Sequence, residues 1–293
     1  MTGASGFIGS ALTRALEARG DEVVPLRRGE PGSGPTWDIR SGRIDGDALA
    51  GVDAVVHLAG SPILPPWTVA KKRRILESRV QGTDLIARAV AEAGTRLLVT
   101  ASGMDFYGDR GDDLLDETEP KGEGFMSDVV AAWEAAAAPA VAAGARVAHM
   151  RSSLVLDGAG GSLPLMMLPF RFFVGGPIGG GEQWWSWIAL EDQVRAAVHI
   201  LDTDDIRGPV NMGSPRPVRN RDFMRGLGRA MRRPSWFPAP APLVKAVLGP
   251  AAAQSMVLES KRLVPSVLTD TGFQFSHPEY ADAILHAVRG GSS

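Results

Sequence analysis

The chain has no cysteine, only two tyrosines and only five histidines in 293 residues. Without cysteine there is no disulfide, no thiolate metal site and no cysteine nucleophile. That absence fits a reducing compartment, and a cytoplasmic location is the expectation. No apolar run approaches the ~20 residues that a spanning helix needs, and no secretory signal is visible. A membrane partner is therefore not expected. Charge of one sign is also lacking: 31 basic residues face 33 acidic ones, for a formal net charge of −2. Such a balance gives no electrostatic case for nucleic acid or an anionic lipid surface. The histidines (His57, His149, His199, His277 and His286) are scattered without metal-ligand spacing. They read as structural or surface residues, with no metal expected.

What is present is an ordinary globular composition, 44% hydrophobic and 22% charged. The length suits one large domain or two intimately joined ones. Helical and strand patterns alternate through the first half. Residues 7–19 carry Phe7, Ile8, Leu12 and Leu16 on one helical stripe. Short apolar strands are expected at 22–26, 52–58, 96–101 and 146–156, and helices at 71–93 and 128–143. The nearly continuous apolar run 52–58 (VDAVVHL) suits a parallel strand covered on both faces. Strands separated by helices imply βαβ crossovers and a doubly wound α/β sheet. After Gly158 the character changes. Residues 158–181 mix glycine with Leu, Met, Phe and Pro, as in a pocket-lining region. A helix at 194–201 and a returning strand at 209–212 precede helices broken by Pro234, Pro238, Pro240 and Pro242.

Glycines at 3, 6 and 9 (GASGFIG) have the spacing of a dinucleotide-phosphate loop. Gly3 permits the tight turn, Gly6 lets backbone N–H groups approach a pyrophosphate, and Gly9 lets the helix pack on the sheet. Gly3, Ser5, Gly6, Phe7 and Ile8 are the candidate contacts. Only Met1 and Thr2 precede the turn, where several apolar strand residues are usual, so the natural start is expected to lie upstream. An enzyme selective for NAD carries Asp or Glu ~20 residues beyond the loop. This chain has Arg27 and Arg28 there. A carboxylate would repel a 2′-phosphate, whereas guanidinium clamps it. The expected cofactor is NADP(H).

With these motifs the chain resembles the extended, epimerase-like branch of the short-chain dehydrogenase/reductase superfamily. The resemblance rests on GASGFIG at 3–9, VVHLAG at 55–60, TASGMDFYG at 100–108 and LPFRFFVGGPIGGGEQWWSWI at 168–188, and continues through LTDTGFQFSHPE at 268–279. It implies a Rossmann-type doubly wound parallel sheet over residues 1–160, with return segments near 188–214. A smaller, mostly helical substrate domain would span 161–293. It further implies Trp37 and Asp38 near the adenine, and Leu58, Ala59 and Gly60 under the ribose and nicotinamide. Arg79 would stand close by in a structural or phosphate-side role. Three positions depart from the family's usual pattern, Ala189 for a His and Ser152-Ser153 for Thr-Gly.

Superfamily members usually work through a Tyr-xxx-Lys pair plus a Ser or Thr. The stretch that should hold the pair, Gly124 to Val130, has neither residue. The two tyrosines are Tyr107 and Tyr280, so that dyad cannot exist. Ser102, at the end of a strand where doubly wound sheets present ligands, and Tyr107 are the candidate catalytic residues. Tyr107 is the candidate proton donor and Ser102 orients the substrate oxygen. Met104, Trp184, Trp185 and Trp187 are candidate substrate contacts, the indoles suiting an apolar or flat molecule. The leading expectation is an oxidoreductase or epimerase-like enzyme acting on a small organic substrate, as monomer or homodimer. A cofactor-reading sensor without turnover and a cofactor-assisted lyase or isomerase are the alternatives.

Overall fold

Residues 1–28 and 34–290 are described by a computed structural model of the chain. Its centre is a parallel sheet. Thr2 bridges Leu26 on one side and His57 on the other. Next to Leu26, β1 (Arg27–Arg28) pairs in parallel with β2 (Thr36–Asp38), which turns back on the antiparallel β3 (Arg43–Ile44). On the other flank run β4 (Ala54–His57), β5 (Leu97–Gly103), then Arg146–Ser152 and Gly208–Met212, all parallel. The chain therefore winds outward from Thr2, then jumps back across it to β4. That reversal leaves a crevice at the carboxyl ends of the strands, where ligands of such sheets bind.

Both faces of the sheet are covered, which is why its strands read as apolar runs. Alternate residues face opposite layers. Val56, Val99, Ala148 and Met150 pack with Leu12 and Leu16 of α1 (Phe7–Ala18) and with the helix Leu190–Asp202. Val55, Leu98 and Val147 pack with Ile86, Ala87 and Val90 of α2 (Val69–Ala93). Thr68 caps α2 by accepting from the Lys71 N–H at 3.2 Å, and Gly94 ends it in the left-handed region at φ 68°.

Three expected elements differ. The strand expected over 22–26 is reduced to the bridge at Leu26, and the pairing with β2 begins only at Arg27. The helix expected over 128–143 is broken: α3 covers Phe125–Ala135, and a short helix at Ala138–Ala142 follows. Alanine propensity favours helix throughout, but Pro139 has no N–H and fits only a helix's first turn. The strand expected over 146–156 stops at Ser152. The Ser153 N–H and hydroxyl both turn to the Met212 carbonyl, and Leu154–Leu156 pairs instead with Trp187–Ala189.

A second core fills the C-terminal half. Leu163, Met167 and Phe170 meet Trp185, Trp187, Phe223 and Tyr280 there. The strand Arg262–Leu263 pairs with Leu114–Leu115 and joins the two halves. A groove of about 500 Å³ opens between Val23–Val24 and Ala54–Val56. It lies at the opposite, amino ends of the strands, so it is not the ligand crevice.

Candidate active site

The turn from Thr2 into α1 is built by contacts that only glycine tolerates. Gly3 has φ +69°, and a β-carbon there would stand 2.9 Å from the Leu58 carbonyl carbon and 3.0 Å from the Ala59 nitrogen. The Gly6 N–H donates to the Gly3 carbonyl at 2.9 Å. Gly6 caps α1 without a side-chain hydrogen bond, and no acidic residue lies in the first turn. The first N–H groups of a helix have no partner within it, and the helix dipole adds partial positive charge. This is a seat for an anion. The loop after Leu156 closes over it: a β-carbon at Gly160 would meet the Phe7 ring at 2.3 Å.

Arg27 and Arg28 are exposed on β1, and Arg28 stands in register with Trp37. Trp37 itself is core: it is 2% exposed, edge-on to His57 at 5.6 Å, and packed where Gly82 leaves room. The indole packs between the sheet and α2, so of the two residues expected near the adenine only Asp38 has a side chain open to a ligand. Asp38 remains at the surface. Its carboxylate accepts from the Arg40 N–H and the Ser41 hydroxyl, which hold it below the usual carboxylate range. Arg79 is buried under the Leu58–Ser61 turn. Its guanidinium donates to the carbonyls of Ser61 (3.0 Å) and Ile75 (3.3 Å) and covers Trp133 at 4.8 Å. Burial pulls its pKa down to about 10. In this geometry Arg79 buttresses the turn.

Ser102 and Tyr107 meet in one buried network at the carboxyl ends of the strands. The Ser102 hydroxyl donates to Glu134 Oε1 on α3 at 2.5 Å. Arg151, in register beside Ser102, grips both oxygens of Glu134 at 2.8 Å. Arg151 also donates to the Tyr107 hydroxyl at 2.9 Å and lies over the Phe106 ring at 3.5 Å. The Tyr107 hydroxyl in turn donates to Asn211 Oδ1 at 2.8 Å. The tyrosine is wholly buried, and burial pushes its pKa up to about 12 despite Arg151. Its ring packs with Leu115 and Leu263, and the backbone at Tyr107 is crossed closely by Gly122, where a β-carbon would stand 1.9 Å from the Tyr107 carbonyl oxygen. Its expected role as proton donor is corrected by this geometry, since the hydroxyl proton is committed to Asn211 and no face of the ring is open.

The expected substrate residues separate. Met104, Trp184 and Trp185 line a cavity of about 30 Å³ together with Leu154, Met166 and Lys261. Trp184 forms its rim, with the ring between Arg219 (4.3 Å) and Arg262 (4.2 Å) and Nε1 on Asp112 at 2.8 Å. Trp187 does not line it. It is fully buried against Tyr280, with Nε1 donating to the Arg216 carbonyl at 3.0 Å. A substrate role for Trp187 is corrected to core packing.

Lys261 is the group that pattern reading missed. Its ammonium donates to Asp105 at 2.8 Å and to the Ser255 carbonyl at 2.7 Å, and pairs with Glu259 at 2.8 Å. Burial disfavours its charge, but Asp105 and then Glu259 more than offset this, and its pKa is raised. Asp105 and Lys261 are 156 positions apart, so no local spacing signals the pair. Glu134, Arg151 and Asn211 were hidden for the same reason.

A strand order that reverses at Thr2, with an uncapped helix and a glycine turn at the reversal, defines a Rossmann-type dinucleotide-fold protein. Comparison with known proteins narrows this. Residues 1–213 match the NAD dependent epimerase/dehydratase family, and residues 239–287 match a domain of unknown function, DUF1731. The chain belongs to the NAD dependent epimerase/dehydratase family. It is 39% identical over 291 residues to an epimerase family protein of Mycobacterium bovis, covering 98% of this chain and 96% of the other. Its fold is similar to the crystal structure of human epimerase family protein SDR39U1 with NADPH: TM-score 0.87, 32% identity, 98% of each chain covered. It is also similar to the structure of a nucleoside-diphosphate sugar epimerase from Corynebacterium glutamicum, at TM-score 0.82 and 35% identity. That match covers 98% of this chain and 57% of the other. Among the described residues no helix is long and apolar enough to cross a membrane.

Proposed function

We propose that the chain is an NADP(H)-dependent oxidoreductase, or an epimerase-like enzyme with a transient hydride step, acting on a small organic substrate. The observation that carries the reading is the uncapped helix N-terminus at Gly6, walled by glycines and flanked by Arg27 and Arg28. The human relative's NADPH supports it. The bound cofactor supplies hydride transfer at its nicotinamide. The backbone N–H groups of Ser5, Phe7 and Ile8 would hold the pyrophosphate, and Arg28 with Arg27 would take the 2′-phosphate. Asp38 stands on the adenine side, and Leu58, Ala59 and Gly60 pass under the ribose. Residues 1–160 with the return near 188–214 carry the cofactor, and residues 161–293 shape the substrate pocket.

On the substrate side, Ser102, one residue from the carboxyl end of β5, is held by the Glu134–Arg151 pair. Its proton lies toward Glu134, so its oxygen accepts from a substrate hydroxyl as placed. Donation to a carbonyl oxygen requires it to leave Glu134. Met104, Trp184 and Trp185 form the apolar wall, and Lys261 with Glu259, anchored by Asp105 behind them, supply its charge.

The test is nucleotide binding by titration calorimetry. NADPH is expected to bind more tightly than NADH. Losing a charge-assisted clamp in Arg28→Ala weakens NADPH by about tenfold or more, with little change for NADH. Equal effects on both nucleotides would refute the assignment. A second reading, a nucleotide-reading sensor, is favoured by one observation: both the Ser102 and Tyr107 hydroxyls are already engaged. Nucleotide-selective binding without NADPH consumption across aldehydes, ketones, enones and imines would select it.

A further inference from the structure

Three side chains from distant parts of the sequence converge at the surface. Glu191 lies in the first turn of the helix Leu190–Asp202. His286 lies on the C-terminal helix Tyr280–Arg289. His277 precedes that helix, and its Nε2 is 3.2 Å from Glu191 Oε2. The two imidazole rings are 4.6 Å apart and tilted by 30°. One ligand atom from each of the three residues lies within 4.8 Å of the other two.

The placement of His277 is fixed from below. Asp192 is fully buried, and its two oxygens accept from the Ser276 N–H and the His277 N–H, each at 2.8 Å. The neighbouring cation, Arg195, is bound to Asp192 at 2.9 Å and Ser276 at 2.6 Å. Glu191 and the two imidazoles therefore face one another.

We propose that Glu191, His277 and His286 form a binding site for a divalent transition-metal ion. Two imidazole nitrogens and one carboxylate oxygen suit zinc, cobalt, nickel or copper and do not suit magnesium or calcium. Tetrahedral zinc, with bonds of about 2.0–2.2 Å, needs its ligand atoms about 3.3 Å apart. Binding requires the exposed Glu191 and half-buried His286 side chains to rotate inward from the present spacing of up to 4.8 Å. The fourth position faces solvent and takes water. Because Glu191 belongs to the sheet half and both histidines to the C-terminal half, the ion clamps the last helix onto Leu190–Asp202. A metal bound only in the folded state stabilises that state. The pattern escapes sequence inspection because Glu191 and His277 are 86 positions apart.

The test uses the metal-stripped full chain and zinc chloride alone, with titration calorimetry and thermal unfolding. One equivalent is expected to bind, and Tm is expected to rise with zinc concentration but not with magnesium. His277→Ala and His286→Ala each lower the affinity by at least about tenfold, as does Glu191→Gln, whose exposed side chain makes misfolding no explanation. His199→Ala, on the same helix as Glu191 but bound to Thr271, leaves zinc binding unchanged. No saturable zinc binding, or binding that survives all three substitutions, would overturn the proposal.

Discussion

Gly9 packs so closely on Gly3 that a β-carbon at position 9 would stand 2.0 Å from the Gly3 carbonyl oxygen. The contact is backbone against backbone, so no side chain can move to relieve it. Gly9→Ala must push α1 away from the turn and misplace the N–H groups that face the anion seat. The expected outcome is loss of most NADPH affinity in calorimetric titration, with a lower Tm. Unchanged affinity would mean that the turn does not hold the nucleotide.

Arg151 and Glu134 form a buried pair, with side chains 4% and 11% exposed. Removing one partner leaves the other charge uncompensated, which costs about 3–5 kcal/mol. Arg151→Met is expected to lower denaturant stability by that order. Glu134→Gln, which keeps the acceptor oxygen for Ser102, is expected to cost less. Urea unfolding of the two variants checks the order, and equal small losses would contradict the buried-pair reading.

Tyr107→Phe strips the buried Asn211 Oδ1 of its donor and Arg151 of an acceptor. An unsatisfied buried polar group costs about 1–3 kcal/mol. The variant is expected to unfold at a lower temperature while binding NADPH as the parent does. A variant with unchanged Tm and abolished turnover would return Tyr107 to the role of proton donor.

His57 is wholly buried, with Nδ1 paired to the Thr2 hydroxyl at 2.7 Å. Burial, then the nearby N-terminal charge, lowers its pKa to about 3. Above the ordinary pKa of about 6.5 it is neutral in both folded and unfolded chains. As pH falls from there toward 3, the unfolded chain takes up a proton that the native chain refuses. Stability from this group is lost at about 1.4 kcal/mol per pH unit across that window. Unfolding free energies measured between pH 6.5 and 4 should therefore fall less steeply in His57→Gln than in the parent. Parallel slopes would exclude the histidine as a source of acid sensitivity.

The sequence by itself determined the frame. GASGFIG could be assigned because glycine's missing side chain and the helix dipole act over a few neighbouring residues. The strands expected at 52–58 and 96–101, found at 54–57 and 97–103, were legible because burial on both faces requires mostly apolar residues. The lack of a Tyr-xxx-Lys pair followed from counting. Tertiary structure alone decided which polar groups meet. Ser102 and Tyr107 share one stretch, but Glu134, Arg151 and Asn211 come from three others, and only the sheet register and the packing of α3 bring them together. Asp105 meets Lys261, and Trp37 and Trp187 turn inward, because packing and pairing act through space. Period and spacing in the chain carry no record of such encounters.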